Sequence, residues 1–274
     1  MGFFYFHIFA LMNSKQAIGI FDSGIGGLSI WKEITVQLPH EHTIYLADSK
    51  NAPYGQKTKE QIIEFSIKNT ELLLEKGCKI IVVACNTATT NAITYLRKHF
   101  DVPFIGIEPA IKPAALQTQT NSIGILATKG TLSSALFHTT SQQFTKGIHV
   151  IEQIGEGLVP LIESGKVNSI ETEELLQKFL KPMLKKHIDY LVLGCSHYPF
   201  LIPQIQKIIG NNIVIIDSGA AVARQTLSVL QQENLLNKNK SIPKHQLFSN
   251  AKTNTLEQII KTLNKKGTVA YLDF

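Results

Sequence analysis

Short apolar runs rich in isoleucine and valine alternate with longer segments of helical period through the first part of the chain. The apolar runs are AIGIF at 17–21, TIYLA at 43–47 and KIIVVA at 79–84. The helical segments are GLSIWKEITVQL, TKEQIIEFSIKNTELLLEKG and TATTNAITYLRKHF. Short β-branched runs are typical of strands, and their alternation with helices favours parallel sheet with crossover helices. The sequence therefore predicts an α/β fold.

The second of these helices has well-marked ends and an apolar face. Thr58 and Gln61 have the spacing of a capping box, and Gly77 is expected to end the helix. The strand that follows then leads to Cys85. The inward face of the helix is expected to comprise Ile62, Ile63, Phe65, Ile67, Leu72 and Leu73.

The second half of the chain repeats the order of features found in the first half. Ile18-Gly19-Ile20 has a counterpart in Ile123-Gly124-Ile125, and Cys85 has a counterpart in Cys195. Acidic residues follow the two thiols at nearly equal spacing, namely Glu108 and Asp217. This internal repeat predicts two related α/β lobes of roughly 100 residues each.

The lobes and their boundaries follow from this repeat. We expect residues 13–108 together with 219–274 to form the first lobe, and residues 109–218 to form the second. Open parallel sheets bind ligands outside the carboxyl ends of their strands, where both thiols are expected to lie. The sequence therefore predicts a ligand site in the cleft between two parallel-sheet lobes.

The first twelve residues, MGFFYFHIFALM, are apolar but do not have the features of a membrane anchor. A membrane span needs roughly 18 apolar residues, and a cleaved signal has a basic start and a small-residue cleavage site. We interpret residues 1–12 as a loosely attached extension, or as the result of a start assigned upstream of Met12. A cleaved signal is the weaker alternative, and no membrane partner is expected.

Composition narrows the class of protein and its compartment. The chain has 274 residues, 44% of them hydrophobic, which is enough to form a sizeable core. Its three cysteines, Cys78, Cys85 and Cys195, have no CxxC spacing, so a reducing cytoplasm fits best. The net charge is +6, but the lysines are scattered without interleaved aromatic residues. We interpret them as solvated faces and expect no nucleic-acid partner.

Two of the cysteines occupy positions suited to proton transfer. Cys85 and Cys195 each end an apolar strand and are followed by a polar pair that could hold a carboxylate or an amine. A thiol between a strand end and a helix start lies near backbone N–H donors, which favours the thiolate form. The alternative, a buried hydrophobic residue, is the interpretation that we give to Cys78.

Asp22 and His197 are candidates to assist these thiols. The turn FDSGIGG at 21–27 has the position of a dinucleotide loop, but Asp22 places a carboxylate where a pyrophosphate would approach. Asp22 could relay a proton near a thiol, or it could cap a helix together with Ser23. His197 could stabilise the Cys195 thiolate or take its proton; a satisfied surface histidine is the alternative.

The chain contains, in this order, the motifs FDSGIGG, ADSKNAPYG, ACNTAT and LGCSHYP. This motif set resembles that of the cofactor-independent glutamate racemases of bacterial cell-wall synthesis. Together they span residues 21–199, and GLVPLIESG at 157–165 falls where that family has a further motif. The resemblance implies two α/β lobes with pseudo-twofold symmetry, the active site between them, and interconversion of L- and D-glutamate for peptidoglycan.

The resemblance also implies roles for individual residues. Cys85, aided by Asp22, would act on D-glutamate, and Cys195, aided by His197, would act on L-glutamate. Asp48 and Glu163 would lie nearby. At Ser196 the family more often has threonine, and both residues offer a hydroxyl. The substrate-binding residues would be Asp22, Ser23, Tyr54, Gly55, Asn86, Thr87, Ser196 and His197.

Other functions stay open at this point. A racemase of another amino acid, such as aspartate, would use the same paired thiols. A two-lobed solute-binding protein would not need them, and a cysteine hydrolase would need only one. No lysine motif for pyridoxal and no zinc spacing is apparent, so we expect neither cofactor nor metal. The sequence leaves the oligomeric state open, with a homodimer among the states it allows.

Overall fold

The computed structural model describes residues 13–107, 110–240 and 242–274. The expected extension at residues 1–12 and the repeat residue Glu108 lie outside these ranges. Within them, no helix combines the length and the apolar character that crossing a membrane requires.

The described chain alternates strands and helices over most of its length. The strands are β1 Ile18–Asp22, β2 Thr43–Ala47, β3 Ile80–Val83, β4 Phe104–Gly106, β5 Ser122–Ala127, β6 His149–Ile154, β7 Tyr190–Gly194, β8 Val214–Ile216, β9 His245–Ser249 and β10 Thr268–Tyr271. The helices are α1 Leu28–Gln37, α2 Lys59–Glu75, α3 Asn86–His99, α4 Ile111–Gln117, α5 Lys129–Leu132, α6 Ala135–Phe144, α7 Leu158–Glu163, α8 Ile170–Leu184, α9 Ile202–Ile209, α10 Gly219–Gln232 and α11 Asn254–Thr262.

These strands form two parallel sheets that repeat one topology. The first sheet has the order β10-β9-β2-β1-β3-β4, and the second has the order β6-β5-β7-β8. The order β2-β1-β3-β4 therefore corresponds strand for strand to β6-β5-β7-β8, with β3 equivalent to β7. The predicted α/β fold and its internal repeat are confirmed, and each candidate thiol follows an equivalent strand.

Both faces of the first sheet are covered, as parallel sheets require. Every residue of β1 is buried, and successive residues alternate between two cores. Ile18 and Ile20 face the larger core, which also contains Leu126 and Leu193 of the second sheet. Phe21 faces the core beneath α2 and α3. A continuous apolar core therefore joins the two lobes.

Helix α2 begins and ends as the sequence predicts, but its most buried face is partly polar. The Thr58–Gln61 capping box is formed, and Gly77 follows the helix at φ +77. Several of the predicted inward apolar side chains are only partly buried, whereas Ser66 and Thr70 are fully buried. Both hydroxyls donate to carbonyls of the preceding helical turn, so their burial leaves no hydroxyl donor unpaired.

The C-terminal segment completes the first sheet. Strand β9 pairs with β2, β10 pairs with β9, and helix α10 packs against α1. The exact residues at which one lobe gives way to the other, at about 108 and 218 in our assignment, stay a prediction.

A buried ion pair joins the start of β3 to the loop before β2. Lys79 and Glu41 have side chains that are 0% and 1% exposed, and Lys79 Nζ lies 2.6 Å from Glu41 Oε2. Lys79 also donates to the carbonyl of Ser14, and the backbone N–H of Asn237 donates to Glu41 Oε1. These contacts connect four stretches of the chain that are distant in sequence.

Candidate active site

The two thiols line one small cavity between the sheets. Cys85 follows β3, Cys195 follows β7, and both are buried. The cavity between them measures about 10 Å³, which is the space of about one water molecule. Its walls are Ser23, Pro53, Tyr54, Gly55, Cys85, Asn86, Thr87, Thr128, Val159, Cys195, Ser196 and His197.

Most of the predicted site residues therefore lie together. Pro53, Thr128 and Val159 also line the cavity and were not predicted. Val159 falls within the GLVPLIESG stretch and Pro53 within ADSKNAPYG, whereas Thr128 belongs to no motif that the sequence analysis identified. A second cavity of about 290 Å³ shares Pro53, Gly55, Thr128 and Val159 with the first. We regard it as the mouth of the site.

Cys85 is held at the start of α3. Its Sγ accepts a hydrogen bond from the backbone N–H of Ala88 at 3.4 Å and lies 3.7 Å from Ser23 Oγ. Burial raises the pKa of the Cys85 thiol well above its usual range, and the nearby Asp22 carboxylate raises it further. The expectation that the helix start favours a thiolate here is wrong, because burial outweighs the Ala88 hydrogen bond. The raised pKa favours the protonated thiol at Cys85.

Asp22 connects the glycine-rich turn with the second lobe. Its Oδ2 accepts from the backbone N–H of Gly24 at 3.0 Å, and its Oδ1 accepts from Ser196 Oγ at 2.9 Å. Helix α1 has Gly27 at its N-cap and no side-chain cap, so the helix-capping alternative for Asp22 is wrong. Burial raises the pKa of the Asp22 carboxyl, while His197 opposes that effect.

His197 lies between Cys195 and a carboxylate. Its Nδ1 is 3.9 Å from Cys195 Sγ, and its Nε2 is 2.6 Å from Glu163 Oε1. The ring is 1% exposed, so the surface-histidine alternative is wrong. Burial alone would lower the pKa of His197, but the hydrogen bonds with Cys195 and Glu163 and the charge of Asp22 raise it well above its usual value. The site thus favours an imidazolium beside Cys195.

Glu163 contacts this histidine directly. The resemblance placed Glu163 only in the neighbourhood of the site. Besides His197, its Oε1 accepts from the backbone N–H of Ile25 at 2.7 Å, and its Oε2 accepts from Ser49 Oγ at 3.0 Å. Ile25 and Ser49 follow strands of the first sheet, whereas Glu163 ends α7 beyond β6 of the second sheet. The carboxylate therefore bridges the cleft.

The glycines of FDSGIGG permit this close approach of the two lobes. A Cβ at Gly24 would lie 1.9 Å from Glu163 Oε1, and a Cβ at Gly26 would lie 2.2 Å from His197 Nδ1. Either contact would displace Glu163 or His197, and these two side chains are hydrogen-bonded to each other. The turn is therefore glycine-rich because the acid/base side chains pack against its backbone.

Asp48 fixes the position of the Tyr54 hydroxyl by a hydrogen bond. The Tyr54 hydroxyl donates to Asp48 Oδ2 at 2.5 Å, and the Nδ2 groups of Asn51 and Asn250 donate to Asp48 Oδ1. Burial raises the pKa of the Asp48 carboxyl, and these hydrogen bonds oppose that effect. Asp48 is absent from the cavity wall, so it orients Tyr54 and does not itself face the cavity.

Polar groups on the cavity wall are available to hold a ligand. Within the described part of the chain, neither the Oδ1 nor the Nδ2 of the buried Asn86 side chain has a hydrogen-bond partner. The hydroxyls of Thr87, Thr128 and Thr131 form a cluster across the cleft, with the first two 2.8 Å apart. Unpaired buried polar groups are costly, so Asn86 is poised to bind a polar ligand. Among the described residues, no His, Cys, Asp and Glu side chains are grouped so as to hold a metal ion.

Two α/β lobes that place equivalent thiols in one cavity define the class to which the chain belongs. The model of the Asp/Glu/Hydantoin racemase family matches residues 27–226. The chain is a member of this family.

Curated relatives and solved structures narrow the comparison to one branch of the family. The chain is 46% identical over 222 residues to a glutamate racemase of Herpetosiphon aurantiacus, covering 81% of this chain and 87% of that protein. It is 33% identical to Escherichia coli glutamate racemase, whose structure contains L-glutamate, with a TM-score of 0.82 over 94% of this chain and 98% of the other. The Francisella tularensis glutamate racemase in complex with D-glutamate is 27% identical, with a TM-score of 0.81 over 95% and 98% of the two chains.

Proposed function

We propose that this protein interconverts L- and D-glutamate by proton transfer at Cα, with Cys85 and Cys195 as the acid/base groups on opposite faces. The observation that carries the proposal is the presence of two thiols at equivalent strand ends on the wall of one cavity. The similarity to curated glutamate racemases supports glutamate as the substrate.

The two thiols have different surroundings. Cys85 is protonated because burial and Asp22 raise its pKa. Cys195 Sγ lies 3.9 Å from Nδ1 of His197, whose raised pKa favours an imidazolium that can donate to this sulfur. In the L-to-D direction, Cys195 would act as the base that removes the α-proton, and the protonated Cys85 thiol would donate a proton to the opposite face.

The reverse reaction uses the same groups with their protons exchanged. The Cys85 thiolate then removes the proton from D-glutamate, and the Cys195 thiol returns one to the other face. Asp22 raises the pKa of the Cys85 thiol, so it makes the thiolate a stronger base. The α-ammonium of a bound substrate would offset the Asp22 charge and allow this thiolate to form.

The remaining wall residues would bind and orient the substrate. The Asn86 amide can both donate and accept, and the hydroxyls of Ser23, Tyr54, Thr87 and Ser196 can complete the contacts to carboxylates and ammonium. The Gly55 backbone lies against Thr128 of the other lobe and closes one side of the cavity. No cofactor is required by this scheme.

A glutamate molecule does not fit into a cavity of about 10 Å³. The lobes must separate to admit the substrate and close again around it. Closure would exclude water from the carbanion-like state, which strengthens every electrostatic contact in the site. The product D-glutamate would supply peptidoglycan synthesis in the cytoplasm. The homodimer stays a prediction.

The direct test is chiral analysis of the product after incubation with L-glutamate and no added cofactor. Enantiomers have equal free energies in water, so we expect an equal mixture of L- and D-glutamate. Activity should survive dialysis against a chelator and a carbonyl reagent, and alkylation should abolish it unless substrate protects. Comparable turnover of aspartate would favour the aspartate alternative. Binding of glutamate without turnover would favour a solute-binding protein.

A further inference from the structure

Glu163 depends on the first lobe for its position. Both of its carboxylate oxygens are engaged: Oε1 by His197 and the Ile25 N–H, and Oε2 by the Ser49 hydroxyl. The Ile25 contact is a backbone hydrogen bond, so no substitution at that position removes it cleanly. Ser49 supplies the side-chain hydrogen bond to the carboxylate from across the cleft.

The Glu163 carboxylate borders a groove into which it can rotate. The Glu163 side chain is 17% exposed, whereas His197 is 1% exposed. Ser49 and Glu163 both line a groove of about 550 Å³, which also includes Ser164, Lys252 and other residues. Water in this groove can solvate the carboxylate, and the Lys252 side chain lies along the same wall. A carboxylate released by Ser49 can therefore rotate away from the imidazole.

Ser49 is absent from the wall of the catalytic cavity. It lies directly after Asp48, at the end of β2, and its hydroxyl donates to Glu163 Oε2. Its effect on the thiols would pass through Glu163 and then through His197. This arrangement exists only while the lobes are closed, because Ser49 and Glu163 belong to opposite sides of the cleft.

We infer that Ser49 is a positioning residue, which holds Glu163 against His197 when the lobes close and so supports the Cys195 half of the reaction. This inference rests on the proposed racemisation for its kinetic consequences. Its structural part, the support of the imidazolium, does not depend on turnover.

The test compares Ser49→Ala with Ser49→Thr, which keeps the hydroxyl. In Ser49→Ala we expect kcat to fall about tenfold with KM nearly unchanged, because a hydrogen bond to a charged group is lost away from the substrate. The fall should be equal in both directions, since the equal free energies of the enantiomers fix the ratio of kcat/KM values. Ser49→Thr should restore most of the activity.

The pKa of His197, followed by NMR in the ligand-free protein, gives a second readout. The titratable groups that face His197 are Cys195, Glu163 and Asp22. Because Glu163 raises the pKa of His197, Ser49→Ala should lower that pKa, and the alkaline limb of activity should move to lower pH. Ser49→Thr should not produce either shift.

Ser164→Ala is the matched control. Ser164 is next to Glu163 in sequence, but its hydroxyl donates to the carbonyls of Pro160 and Leu161. The kinetics and the His197 pKa should therefore stay as in the wild type. A Ser49→Ala variant with wild-type kcat and an unchanged His197 pKa would overturn the inference. An inactive wild type whose His197 pKa still falls in Ser49→Ala would instead reject the proposed function and keep the positioning role.

Discussion

Replacing either Cys85 or Cys195 with serine is expected to lower racemisation about a thousandfold or more, within the range that general acid–base groups contribute. A serine hydroxyl is a far weaker acid than a thiol, so it neither donates the proton readily nor forms the required anion. Each thiol serves one face of Cα, so neither can replace the other. The rate of enantiomer interconversion, measured by circular dichroism or chiral chromatography, checks this expectation.

Cys78→Ser provides the control. Cys78 is buried like the other two, and burial raises the pKa of its thiol to about 12, but it is absent from the cavity wall and packs against Gly19. Its replacement should lower stability modestly and leave turnover near that of the wild type. If one of the other two serine variants kept near-normal turnover, the two-thiol mechanism would be wrong.

Replacing Lys79 with methionine is expected to destabilise the fold by about 3–5 kcal/mol, because it leaves the Glu41 carboxylate buried without its partner. Burial lowers the pKa of Lys79, an effect that the Glu41 charge opposes but does not cancel. Burial of the Lys79–Glu41 ion pair therefore carries a desolvation cost in free energy. Urea unfolding of the wild type and the variant measures the difference.

The double variant Lys79→Met with Glu41→Leu separates the cost of an unpaired buried Glu41 carboxylate from the net contribution of the ion pair. Buried ion pairs replaced as a pair by apolar side chains are often near neutral in stability. The double variant should therefore recover most of the lost free energy of unfolding, apart from the Asn237 N–H that Glu41 accepts. A double variant less stable than Lys79→Met alone would contradict this account of the pair.

Features that depend on short stretches of sequence could be predicted. The alternation of apolar runs and helices gives the parallel sheets, and the recurrence of Ile-Gly-Ile and of a strand-end thiol gives two equivalent topologies. Cys85, Asn86 and Thr87 are neighbours in the chain, as are Cys195, Ser196 and His197. Their presence in one cavity follows once two strand ends meet.

Contacts between distant segments could not be predicted in the same way. Glu163 meets the Ile25 N–H across 138 positions and Ser49 across 114, and nothing in the local pattern of either segment indicates the partner. The protonation of the Cys85 thiol could not be predicted from the sequence for a related reason. Proximity to a helix start is visible in the sequence, but the complete burial that raises the pKa of Cys85 depends on the closed packing of both lobes.

The measurement that tests the two-thiol mechanism most directly is the isotope content of substrate and product early in the reaction in deuterated water. With one thiol on each face of Cα, the group that removes the proton differs from the group that returns a solvent-derived deuteron. Early product should therefore carry deuterium at Cα, while unreacted substrate should remain largely protiated. Mass spectrometry of the separated enantiomers gives both values. Deuterium that enters the substrate pool as fast as product forms, or product that retains the original proton, would mean that a single base serves both faces.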